Sequence, residues 1–128
     1  MQNRDIYVSA LRLIGETAES NEDYEDRAPY LLAAFFTESA ETDAAYRKEH
    51  SLAPHVRVSS VCVPLDTEFP YADRFVSAAS AYLAAMLVID ENMELSDKLF
   101  DRYCDSLATI QSEIPARIEK IAQKYGAF

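Results

Sequence analysis

Glycine is nearly absent: Gly15 and Gly126 are the only two in 128 residues. Loops that cradle phosphate need backbone close to the ligand and use several glycines to get it there, so neither a dinucleotide fingerprint nor a P-loop can be built. The same scarcity disfavours a sheet-rich fold full of tight turns and favours helices joined by short polar connections. Cysteine is as sparse. Cys62 and Cys104 stand far apart with no CxxC context, which predicts two reduced, buried thiols in a cytosolic protein rather than a disulfide. Positive charge is in deficit, with 12 Lys and Arg against 22 Asp and Glu and a net charge of −10. Such a chain repels polyanions, so sequence-specific nucleic-acid binding and anionic membranes are not expected, and a protein partner is. Long apolar runs are missing too. The longest uncharged stretch falls short of the roughly 20 residues of a membrane span, and residues 1–5 lack the apolar core of a signal sequence, so cytoplasmic synthesis is expected.

What is present is ordinary for a folded domain: 49% of residues are apolar and 27% charged. A chain of this length fits one domain, residues 1–128, able to bury roughly two thirds of its unfolded surface. The pattern predicts a mainly all-α fold, a bundle of four to five helices around a central apolar one. A first helix over residues 4–14 is predicted from Ile6, Tyr7, Ala10, Leu11 and Ile14, with Asn3 as cap and Gly15 as stop. The acids Glu16, Glu19, Glu22, Asp23, Glu25 and Asp26 then crowd a solvated loop. A second helix begins between residues 23 and 27, because Pro29 is tolerated only in a first turn or at a kink, and Leu31, Leu32, Phe35 and Phe36 form its buried end. Over residues 38–49 the same helix turns polar, as a surface that leaves the core or meets a neighbour would.

Pro54 ends that region, and Val56, Val58, Val61 and Val63, interleaved with Arg57, Ser59, Ser60 and Cys62, form a short β-branched run. It reads either as a strand or as an extended segment solvated on one side. No second strand of matching quality exists to pair with it, so a strand here pairs across a subunit boundary, which makes Val56, Val58, Ser60, Val61 and Val63 the candidate interface residues. Pro70 opens a third helix that runs to residue 90, about 30 Å at 1.5 Å per residue. Residues 75–89 carry no charge, and Ala and Ser at positions 77–81, 84 and 85 keep this helix narrow enough for close neighbours. Ser96 caps a fourth helix that continues to residue 113, with Leu99, Tyr103, Leu107, Ile110 and Ile114 along one stripe. Pro115 breaks it, and residues 116–125 form a short amphipathic tail that ends at Gly126.

Chemistry is hard to find in this pattern. His50 and His55 flank Pro54 and cannot share a helical turn as a metalloprotease pair would, no GxSxG elbow occurs, and neither cysteine has a nucleophile's context. Glu38 with Glu41, and Glu94 with Asp97, have the spacing with which all-α nucleotide pyrophosphohydrolases hold Mg²⁺ on facing helices. Such spacings also arise by chance in an acidic chain. A Ca²⁺ loop starting at Asp90 fails because Leu95 occupies the position that demands glycine. The residues point to no catalytic group, metal or cofactor.

The series Phe69-Pro70, Asp73-Arg74-Phe75, residues 78–87, Asp90 to Glu94 and Phe100 to Tyr103 resembles head-to-tail connector or adaptor proteins of tailed bacteriophages. The opening, from Ile6-Tyr7 to Gly15-Glu16 and on through Asp23-Tyr24-Glu25 and Arg27 to Leu31, is similar to small proteins of prophage structural clusters. The resemblance covers most of the chain and rests on packing patterns. It implies a homo-oligomeric ring between portal and tail, with portal, tail or capsid proteins as partners, made in the host cytoplasm and carried in the virion. Its chemistry would be assembly alone, through contacts between identical subunits that close by rotation. Two other readings remain open from the residues: a cytosolic helical adaptor that binds another protein, and the Mg²⁺-dependent nucleotide pyrophosphohydrolase.

Overall fold

The computed structural model describes residues 1–17 and 22–114. In chain order these form α1 (Asn3–Leu13), α2 (Glu22–Glu38), α3 (Ala40–Glu49), a 3-10 turn (Asp73–Phe75), α4 (Val76–Val88) and α5 (Met93–Ser112). No strand forms among the described residues, where bridge pairing is limited to Gln2 with Glu68. The chain is mainly α-helical, and the run at residues 56–63 belongs to no helix or strand and bends at residues 61–62. The proposed break at Pro115, the tail of residues 116–125 and Glu19 of the acidic loop lie outside the described residues.

α4 is the central helix. Every residue from Ala78 to Ala85 is buried, as are Leu87 and Val88, and the helix packs against α1, α2 and α5. Alanines let those neighbours approach while Tyr82 and Leu83 fill the space between them. α4 is shorter than its sequence suggests, at 13 residues or about 20 Å. Tertiary contacts hold the preceding residues extended: Ala72 has φ −62° and ψ 150°, its N–H donates to Asp43 Oδ1 at 3.1 Å, and the Pro70 carbonyl accepts from Arg47 Nη2 at 2.9 Å.

Other ends also differ. α1 ends as expected, with Gly15 at φ +75°, where a side chain would be strained. At its start Asn3 is no cap but a buried first helical residue, whose Nδ2 donates to Pro64 O at 3.0 Å and Thr67 Oγ1 at 3.2 Å. The turn at residues 64–67 satisfies the orphan donors of α1 instead, taking Asn3 N–H at Thr67 O (2.9 Å) and Arg4 N–H at Leu65 O (2.8 Å). Glu22, Asp23 and Glu25 belong to the first turn of α2 and not to a loop, a placement that suits the helix dipole. Pro29 therefore lies inside α2, which costs the ladder one N–H. Leu32, Phe35 and Phe36 are buried, Leu31 partly so. The helix expected to run on to residue 49 breaks at Ser39, where Oγ and N–H both donate to Phe35 O, at 2.7 and 3.0 Å. Ser39 has φ −101° and ψ 7°, outside the helical range, and such back-bonding weakens a helix at that point. α5 is capped by Asn92 Oδ1, which accepts from Leu95 N–H at 3.0 Å; Ser96 is buried and donates to Ala85 O at 2.8 Å, tying α5 to α4. Leu99, Tyr103, Ile110 and Ile114 line the buried stripe.

The helices close on a cluster of rings. Phe35 meets Phe36, Tyr71, Tyr82 and Tyr103 at centroid distances of 5.7, 6.1, 5.8 and 6.1 Å, and Phe36 meets Phe69 and Tyr71 at 5.6 and 4.9 Å. Tilted and edge-on pairs of this kind add about 0.5–1.5 kcal/mol each beyond area burial.

Candidate docking groove and its ionic knot

The long connection between α3 and α4 is pinned by one carboxylate. Asp43 is completely buried, and its Oδ2 receives Arg47 Nε at 2.9 Å and His55 Nδ1 at 2.6 Å while Oδ1 receives the Ala72 N–H. Arg47 also donates from Nη1 to Ala53 O at 3.0 Å, so Asp43 and Arg47 together grip both ends of the connection. A buried carboxylate is tolerable only when its lone pairs are met in this way. Beside the knot, the Tyr71 hydroxyl donates to Phe36 O, and burial, then the charge of Asp43, holds its proton well above the ordinary tyrosine range. Sequence reasoning missed Asp43, which falls within residues 38–49, read as a polar surface. A signal existed: Leu32, Phe36 and Ser39 recur at four and three residues, and the next step of that stripe falls on Asp43.

The pinned connection runs beside α2 and α3 and leaves an open groove of about 960 Å³ between them. Ala33, Ala34, Thr37, Ala40 and Ala44 form a shallow floor, with Glu38 and Glu41 on the helical side and Arg57 opposite. Small floor residues make room, and two apolar lining residues are exposed, Tyr30 at 58% and Val61 at 81%. Of the predicted interface residues, Val58, Ser60 and Val61 line the groove and Val56 is exposed, whereas Val63 is buried in the chain's own core with its N–H on Pro29 O at 3.1 Å. Ser60 Oγ donates to Cys62 O and accepts Cys62 N–H, turning the chain back toward that core. The backbone groups of residues 56–59 make no hydrogen bond among the described residues.

The remaining candidates scatter. Among the described residues no three His, Cys, Asp or Glu side chains converge as a metal-holding group. Glu38 and Glu41 border the groove, whereas Glu94 and Asp97 are exposed on α5. His50 stacks on Tyr46 at 4.1 Å. The cysteines are free but not both buried: Cys62 is half-buried and Cys104 exposed, because it sits beside Tyr103 on the outer side of α5. Among the described residues no helix is long and apolar enough to cross a membrane. No protein family model matches the chain, and no match was found among curated proteins or solved structures.

Proposed function

We propose that this chain is a non-catalytic assembly protein that docks a second copy of itself along the groove, and that the assembly is the connector ring of a tailed phage or prophage. The observation that carries the assembly reading is the groove itself, where exposed Tyr30 and Val61 stand beside residues 56–59, whose backbone donors and acceptors are unused among the described residues. Strand addition uses such backbone for affinity and alternate side chains for specificity. Charge suits a copy of the same chain as occupant, since Glu38 and Glu41 on one wall and Arg57 on the other offer both signs, and a ring follows when the groove takes a different face of the next copy. The connector reading adds the sequence resemblance, and an acidic ring would let DNA pass without sticking.

Light scattering across protein concentration tests this, with rings or concentration-dependent oligomers expected. Val61→Asp, at a highly exposed position, should abolish them while leaving the melting temperature within a few degrees. A strict monomer at high concentration, alone and with portal protein, would refute the ring. If the chain instead captures a different protein through the same groove, the adaptor reading takes its place.

A further inference from the structure

A second cleft, of about 460 Å³, opens between α1, the turn before α4 and α5, and shares no residue with the groove. In a chain this acidic its walls stand out, because they bring together the hydroxyls of Ser9, Ser77 and Ser80 and the guanidinium groups of Arg74 and Arg102. Ser80 is 3% exposed and its Oγ has no hydrogen-bond partner. Packing does not explain it, since alanine occupies the neighbouring positions of α4 and would fill this one without stranding a polar atom. Ser80 shares a face of α4 with Val76 and Ser77, and all three side chains belong to the wall of the cleft. Arg102 is exposed and makes no ion pair or hydrogen bond among the described residues. Arg74 is held by Glu113, with Nε at 3.2 Å and Nη2 at 2.8 Å from the carboxylate, which leaves Nη1 uncommitted.

We infer that this cleft binds a phosphoryl oxyanion, either free phosphate or the phosphate end of a small monoester. Arg102 supplies the charge, Ser77 and Ser80 donate hydroxyl hydrogens, and Arg74 is a positioning residue fixed by Glu113. Donors arrive from different elements around the space, which suits a tetrahedral group with oxygens in several directions better than a planar carboxylate that meets one guanidinium edge-on. The ligand supplies the acceptor that Ser80 lacks. Asp73 lines the same cleft, so the two arginines face two carboxylates and recognition rests on geometry more than on surplus charge. Loss of Arg102 tips that balance negative, which makes it the sensitive position.

The experiment titrates ¹⁵N-labelled protein at constant ionic strength with inorganic phosphate, with glycerol phosphate and with acetate. Saturable shifts of the Ser77, Ser80 and Arg102 amides are expected with phosphate, and weaker or none with acetate. Arg102→Gln and Ser80→Ala should each weaken phosphate binding by about tenfold or more, a change of about 1.4 kcal/mol. Ser80→Ala should melt no lower than the parent, because an unpartnered hydroxyl is removed, and this separates a binding role from a packing one. Tighter binding of glycerol phosphate than of phosphate assigns the site to a monoester, and the reverse to the free ion. Shifts linear in concentration, equal binding of acetate, or saturable binding that both variants retain would overturn the inference and leave the cleft to water.

Discussion

At the residue scale the decisive group is Asp43, a full charge in the core whose partners come from α3, from His55 and from the Ala72 backbone. Asp43→Ala strands Arg47 and frees the connection, so a loss of about 3–5 kcal/mol is expected in chemical denaturation, against about 1 or less for the exposed pair Asp23 and Arg27. Tyrosines supply a pH signature. Burial, then a hydrogen bond from the hydroxyl to Glu91, pushes the Tyr24 phenol up to about 12, and burial, then the charge of Glu38, does the same for Tyr103. An unfolded tyrosine ionises near pH 10. Above that pH the unfolded chain therefore sheds protons that the folded chain keeps, and stability falls as pH rises from about 10 to about 12. Denaturation curves at successive alkaline pH values should show that decline, and constant stability across the window would contradict the buried placement. None of these assignments can be read from composition, because an aspartate or tyrosine looks alike in sequence whether water or protein surrounds it.

At the element scale, α4 was the most legible feature of the chain. Its uncharged run has only one stable place in water, the middle of a bundle, and there it lies. Leu83→Asp should abolish cooperative melting, since an unpaired buried charge costs several kcal/mol against a typical total of about 5–15. Boundaries were less legible, and each error has a local cause. Pro70 can start a helix, but here its carbonyl is taken by Arg47 and the helix begins at Val76 after a 3-10 turn. Ser96 has the right chemistry for a cap, yet Asn92 stands closer to the acidic turn and Ser96 is left to bind α4. Ser39 carries no sequence mark of a break, and its back-bond to Phe35 becomes decisive once the ring cluster has fixed α2. The run at residues 56–63 has strand composition but no sheet, because a ladder needs a second chain segment and the described residues offer none. Val58→Pro should accordingly impair assembly more than monomer stability, which sizing and melting of the same variant would separate.

At the scale of the whole molecule, a net charge of −10 opposes self-association at long range, so the docking proposed along the groove has to act at short range. Raising salt from about 0.02 M to about 0.3 M shortens the screening length severalfold, so oligomer mass should increase with salt if copies meet through apolar contacts, and decrease if Arg57 pairing dominates. The sequence by itself determined that this protein is helical, that residues 75–89 are its axis and that glycine-built phosphate loops are impossible, because periodicity, charge and glycine content act locally or in sum. Only the tertiary structure decided that Asp43 is buried, that the α3–α4 connection lies open beside a groove, and that Ser80 and Arg102 line one cleft. Those facts depend on which distant residues meet, and meeting is a property of the closed core rather than of any stretch of chain.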